Sequence, residues 1–375
     1  MTKRAEYKKI VSKISIPANH KIKQKAYLQS GTLPVIDQGQ ELVGGYTNDC
    51  QKQIVCDFPV IVFGDHTKNV KYINFPFCAG ADGIKILKAK DDIFPKYLYY
   101  GTKFLTFCIE DKGYARHYQH IEKQELSVPP LPEQERIVAK IEELFSQLDA
   151  AVAELKSVKE KLAFYRQAVL KEAFEAFDNT EEIKNVSQFV TSGSRGWAQY
   201  YSNEGAKFIR IGNLTRTTID IGLDDVQHVS LPPNAEGIRS LLFANDVLVS
   251  ITADLGSIGL VPNNLGEAYI NQHIAMIRFK NPVLSKFYAW YLRSDHGQKQ
   301  LLKNRRGNGK QGLGLDDIRN TKVPVISEQQ ADAVVNNIEE RLSLCGSIEQ
   351  TVDTALQQAA ALRQSILKQA FEGNL

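Results

Sequence analysis

Two loops carry the side chains best suited to gripping another molecule. The first packs Arg116, His117, Tyr118, Gln119 and His120 into five consecutive residues. The second, the glycine-rich NRRGNGKQGLG of residues 304–314, offers Arg305, Arg306, Asn308, Lys310 and Gln311. An arginine fork matches the guanine edge and an Asn or Gln amide the adenine edge, whereas lysine settles mainly on phosphate. A glycine-rich backbone also lets a chain approach a duplex closely. The chemistry these residues point to is nucleic-acid contact. Further cations of the same kind are Lys68 and Lys71 in the first part of the chain and Arg195, Arg210 and Arg216 in the later part. Trp197, in GSRGW, has the shape for stacking on a base, but a place in the core is the expectation. A single loop of this sort is ordinarily plain surface. Two of them, at matching places before two similar segments, point to a function.

Bond-making chemistry finds little support. There is no GxxxxGK[ST]: Gly309-Lys310 is followed by Gln311, and the position of the upstream glycine is Asn304. An NPPY or DPPY methyltransferase motif, an HExxH and a GxSxG elbow are also absent from the sequence. His66, His117 and His120 have Asp65, Glu110 and Asp111 as sequence neighbours, a pattern that reads as loop polarity rather than as a catalytic dyad. Five cysteines without CxxC spacing (Cys50, Cys56, Cys78, Cys108, Cys345) argue against a zinc site or a disulfide framework. With no run of 18 apolar residues and no apolar leader in MTKRAEYKK, a cytoplasmic protein without membrane contact is expected.

The elements that must position these loops are two long helices. From Leu131 to Phe177 the chain has no glycine and no proline after Pro132. Its apolar residues fall at alternating steps of four and three, with Ile141, Leu144, Leu148, Leu155 and Leu162 on the seam. A helix of that length measures roughly 65–70 Å and needs a partner along it. The sequence supplies one. RQAVLKEAFE, starting at Arg166, recurs 197 residues later as RQSILKQAFE from Arg363, and Ile141-Glu142-Glu143 recurs as Ile338-Glu339-Glu340. Upstream, VPPLPEQ from Val128 faces VPVISEQ from Val323. The second seam is assigned to Ile338, Ile348, Val352, Leu362 and Ile366.

Each long helix follows a globular segment. The division is 1–130, 131–178, 179–325 and 326–375: lobe, helix, lobe, helix. The lobes carry net charges of +6 and +4, the helices −3 and −4, so a polyanion touched at two points suits the pattern. Within the first lobe, residues 33–36, 54–63 and 83–87 read as strands and 94–100 as helix. Within the second, 208–211, 247–251 and 273–279 read as strands and 285–292 as helix. The fold class expected is mixed α/β, two lobes of one build separated by an antiparallel coiled coil with a pseudo-twofold internal repeat.

VPPLPEQERIVAKIEEL (residues 128–144), its repeat VPVISEQQADAVVNNIEERL (residues 323–342), the RQ(A/S)(V/I)LK(E/Q)AFE pair, FIRIGNL (residues 208–214), NDVLVSITADLGSIGLVP (residues 245–262) and INQHIAMIRF (residues 270–279) together resemble the specificity subunits of type I restriction–modification systems. The resemblance covers essentially the whole chain and is weaker in the first lobe, through FPVIVFGDHTKNVKY and ADGIKIL. One departure is Ser327, which stands where the PLPEQ pattern has its second proline. The resemblance implies a non-catalytic subunit whose two target-recognition domains each read half of a bipartite site on double-stranded DNA. It also implies two modification subunits bringing S-adenosylmethionine, and restriction subunits with an ATP- and Mg-dependent motor. Acidic side chains on the long helices (Glu142, Glu143, Glu154, Glu160) would then offer docking surfaces, although solvated helix faces are the simpler reading of each. The alternative is a coiled-coil scaffold for protein partners, without sequence-specific DNA binding.

Overall fold

The computed structural model describes residues 3–81, 83–110, 113, 115–231, 238–303, 305 and 312–375. The chain divides into two compact units, one of residues 1–156 with 352–375, the other of residues 157–351. Each long helix is thereby shared: its two halves belong to different units.

The first unit contains β1 (Lys3–Glu6), β2 (Val11–Ile14), β3 (Leu33–Ile36), β4 (Gly45–Thr47), β5 (Val60–Gly64), β6 (Val70–Ile73), β7 (Cys78–Ala79), β8 (Ile84–Ala89), α1 (Pro95–Cys108), β9 (Glu125–Val128) and the start of α2 (Leu131–Phe174). Strand β1 pairs with β9, one sheet has the order β2-β8-β5-β6, and a smaller one has the order β4-β3-β7 with β3 and β7 parallel. The second unit contains β10 (Thr180–Glu182), β11 (Ser187–Ser192), β12 (Tyr201–Ser202), β13 (Ala206–Ile209), β14 (Gln227–Val229), β15 (Val247–Ser250), β16 (Ile258–Leu260), β17 (Ala268–Ile270), β18 (Ile274–Phe279), α3 (Ser285–Arg293), α4 (Asp295–Leu302), β19 (Lys322–Pro324) and the start of α5 (Glu328–Glu372). Its pairings repeat the first set with one edge strand, β12, added: β10 with β19, the order β11-β18-β15-β16, and the order β12-β14-β13-β17 with β13 and β17 parallel. The predicted strand over 54–63 shrinks to Val60–Gly64, because residues 54–59 run as irregular chain ahead of the sheet.

The central strands explain their own sequences. In β5, Ile61 and Phe63 pack into the core that faces the helices, while Val60 and Val62 pack into the core between the sheets. In β15, Val247 and Val249 take the helix side and Leu248 the sheet side. A strand buried on both faces reads as an unbroken apolar run rather than an alternation.

In the first unit the beginning of α2 (Ile137, Val138, Ile141, Phe145) packs in one core with the end of α5 (Ile366, Leu367, Ala370, Phe371). In the second, the end of α2 (Val169, Leu170, Phe174) shares a core with the beginning of α5 (Ala331, Val335, Ile338). Helix α5 opens with a capping box: Gln330 N donates to Ser327 Oγ at 3.4 Å, and Ser327 N to Gln330 Oε1 at 3.4 Å. Ser327 thus starts its helix by a different device from Pro132, which needs no amide partner in the first turn. At the far end Gly373, at φ +88°, stops α5, and Asn374 N bonds Gln369 O at 2.9 Å.

Ile141, Leu144, Leu148, Leu155 and Leu162 are buried or half-buried, as are Ile338, Val352 and Ile366. Two seam assignments are corrected. Ile348 is 37% and Leu362 50% exposed, and the seam passes instead through Glu349 and Arg363. The apolar pattern selects the residue one place earlier, which lies about 100° away around the helix. Glu349 reaches Arg166 of α2 at 2.7 Å. Arg363 pairs with Asp149 and lies 4.4 Å above the Phe145 ring, so its stem and guanidinium cover the seam.

Candidate nucleic-acid interface

In the second unit several loops converge on the turn between β17 and β18. Asn271 Oδ1 accepts from His273 N at 3.0 Å. The His273 ring sits between Thr252 Oγ1, 2.7 Å from Nδ1, and Gln272 Nε2, 2.8 Å from Nε2. Because an amide nitrogen only donates, a neutral ring protonated on Nδ1 satisfies both bonds. Ile251 N donates to His273 O at 3.0 Å and Leu313 N to Ile251 O at 2.9 Å, while Thr252 bridges Gly312. Gly312 and Leu313 therefore lie beside this turn. From the other side Gly193 N donates to Asn271 O at 3.2 Å, and a Cβ on Gly193 would come within 1.9 Å of Ile270 O. Only glycine permits that approach, and it holds the exposed Arg195 next to the turn.

Arg210 borders the same region, one residue beyond β13. Arg210, Asn213, Asp224, Asp225, Asn271 and His273 help to line an open cleft of about 600 Å³. Buried Asn213 builds its wall, accepting from Arg210 N at 2.9 Å and donating to Gly222 O and Asp225 O at 2.9 and 3.0 Å. The Arg210 guanidinium has a weak ion pair with fully exposed Asp225 at 3.8 Å. Arg216 is engaged more firmly, donating to the Asp254 carboxylate and, at 2.8 Å, to Leu255 O. The bond from Arg216 holds the Asp254 carboxyl below its ordinary value. Arg305 is exposed just beyond α4, its amide on Leu302 O at 3.3 Å. Arg306, Asn308, Lys310 and Gln311 lie outside the described residues.

In the first unit, Arg116 and Gln119 are exposed beside one another, and half-exposed Lys68 occupies the β5–β6 turn at φ +60°. Two residues expected here do not face outward. His117 is 1% exposed: its amide and Nδ1 both meet Asp65 O, at 2.8 and 3.0 Å. It occupies the place that Leu313 takes in the second unit, where Leu313 N meets Ile251 O. The loop expected to run through His120 ends instead in a helical turn, Tyr118–Ile121, with Tyr118 and Ile121 buried. Lys71 is 5% exposed, with its ammonium 3.5 Å from Asp37. Burial draws the Lys71 ammonium below its ordinary value, against the pull of Asp37. Burial and the same carboxylate push the Tyr27 hydroxyl up to about 12.

The two units place different chemistry at equivalent points. Asp37 follows β3 where Arg210 follows β13. Gly83, whose carbonyl accepts from Asp65 N, stands where His273 accepts from Ile251 N. Around Gly83 the space is taken by Gln38 and His66. Sequence reasoning overlooked Asn213, Asn271, Gln272 and His273 as site residues. The available signal was the polar triplet Asn271-Gln272-His273 set between the runs AYI and IAMI, which hold no charged residue. Among the described residues no group of three His, Cys, Asp or Glu side chains is placed to hold a metal ion, and no helix is long and apolar enough to cross a membrane.

The family model of the type I restriction modification DNA specificity domain matches the chain twice, over residues 8–160 and 198–335. The chain is 27% identical over 279 residues to the type I restriction enzyme EcoBI specificity subunit of Escherichia coli, a match covering 67% of this chain and 58% of that protein. It is 23% identical over 360 residues to the EcoR124I/EcoR124II specificity subunit of Escherichia coli, covering 88% and 87%. Among solved structures, a chain from a type I R-M system matches with a TM-score of 0.75 at 16% identity, over 100% of this chain and 98% of that one. The HsdS subunit from Thermoanaerobacter tengcongensis matches with a TM-score of 0.58 at 16% identity, over 100% and 97%. At these identities the structural likeness is one of fold.

Proposed function

Because the chain belongs to the family of type I restriction modification DNA specificity domains, we propose that it is the non-catalytic subunit that reads a bipartite site on double-stranded DNA. Each lobe reads one half-site. The observation that carries this reading is the pairing of one topology, present twice, with different side chains at equivalent points: Asp37 against Arg210, and Gly83 against His273. A duplicated frame with divergent edges is what two readers of different sequences require.

Two modification subunits dock on this chain, bring S-adenosylmethionine and methylate an adenine in each half-site. Restriction subunits that use ATP and Mg join them. Glu143, Glu154 and Glu160, all exposed on α2, remain docking candidates. Glu142 does not, since Lys96 of its own unit holds it.

Selection from random duplexes by the complex with modification subunits tests the reading, and recovery of a one-part motif or of no motif overturns it. Within that assay Arg210→Ala is expected to cost about 1–3 kcal/mol and to relax only the half-site read by the second lobe. A uniform loss across all sequences would make Arg210 a phosphate contact instead. Association should also weaken steeply with salt, because phosphate contacts release counterions. A flat salt response would favour the protein-scaffold alternative.

A further inference from the structure

The two units repeat a polar contact that the apolar packing does not require. In the first, Lys96 Nζ lies 2.7 Å from Glu142 Oε1, and Tyr100, one turn along α1, donates to the same oxygen at 3.4 Å. In the second, Lys286 Nζ lies 2.8 Å from the Glu339 carboxylate, and Trp290, one turn along α3, donates to it through Nε1 at 3.5 Å. The aromatic ring differs between the units, yet the donor persists. Glu142 and Glu339 each follow a fully buried isoleucine, Ile141 or Ile338, so each carboxylate flanks the seam on the side of its own lobe.

A second directional contact stands nearer each helix start. Gln134 Oε1 accepts from Phe94 N at 2.8 Å, and Asn281 Nδ2 donates to Glu328 Oε1 at 2.7 Å. Apolar packing is non-directional, so it defines the angle of a lobe helix on a long helix less sharply than a directional contact does. Two polar anchors, eight residues apart in the first unit and eleven in the second, add two such directional contacts to each lobe helix.

We propose that Glu142 and Glu339 are positioning residues that hold each lobe at one angle to its long helix, and so make the protein discriminate the length of the gap between half-sites. This rests on the reading of the chain as a bipartite DNA reader. One base pair more in the gap moves a half-site by about 3.4 Å and turns it by roughly 34°. A lobe free to pivot absorbs part of that displacement, and a clamped lobe does not.

The test uses the full chain in complex with its modification subunits, and duplexes carrying both half-sites at the natural gap or at one base pair more or fewer. Glu142→Ala and Glu339→Ala should keep their half-site preferences, while the preference for the natural gap falls about fivefold. The pair Lys96→Glu with Glu142→Lys should recover it, because the Tyr100 hydroxyl can accept from a lysine. Unchanged gap discrimination overturns the proposal, as does a swap that fails to recover it. So does a parallel loss of half-site preference and thermal stability, which marks a merely structural role. A wild-type complex with no bipartite preference sinks the underlying reading instead, and is recognised before any variant is made.

Discussion

Phe371→Ala, at the far end of the chain, destabilises the N-terminal lobe by about 3–5 kcal/mol, the usual cost of emptying a buried phenylalanine site. Phe371 is nearly inaccessible and belongs to the unit of residues 1–156 and 352–375. Its ring lies 4.9 Å from that of Tyr97 and stacks at 5.5 Å on that of Phe104, both on α1. Its repeat counterpart, Phe174, sits edge-on to Phe287 and Tyr291 of α3, each at 5.4 Å. Phe174→Ala therefore weakens the second lobe by a similar amount. Hydrogen exchange read lobe by lobe separates the two outcomes, because sub-global openings report local stability. If Phe371→Ala lowered protection in the second lobe, or in both alike, the assignment of the C-terminal turns to the first unit would fail.

Inserting seven residues in both long helices, after Lys156 and after Thr351 where the compact units divide, lengthens the recognised gap by about three base pairs. Seven helical residues add roughly 10 Å, and base pairs are spaced at about 3.4 Å. A whole heptad keeps the seam in phase, whereas an insertion of five rotates one half of each helix off its partner. The half-sites should be unaltered. Selection from duplex libraries reads both gap and half-sites at once, and a gap of unchanged length would refute the expectation that the length of these helices sets the gap between half-sites. This differs from the effect expected of Glu142 and Glu339. The heptad moves the preferred gap, while loss of a carboxylate only blunts the preference.

Residues 131–372 show how far local information reaches. The two long helices, their duplication and most of their seam are legible because a heptad period is a property of the chain itself. The central strands were legible for a similar reason: VIVF and VLV are buried on both faces and so read as unbroken apolar runs. Where the pattern failed, at Ile348 and Leu362, a charged side chain occupied the seam. Arg363 covers Phe145 and meets Asp149, and Glu349 meets Arg166, partners more than 180 residues away. No periodicity encodes them.

The site was less legible than its frame. Composition placed Arg116, Arg195 and Arg210 among the candidates, and they stand at least partly open to solvent. It placed Lys71 and His117 there too, although Asp37 and Asp65 draw both inward. Asn271, Gln272 and His273 become a constellation only when Thr252, Gly193 and Gly312 arrive from three other segments. By itself the sequence determined that this is a twice-built molecule of two lobes and two long helices, because duplication and hydrophobic period are written residue by residue. The tertiary structure alone decided which polar side chains face outward and which are consumed inside, because a charge finds its partner through space and not along the chain.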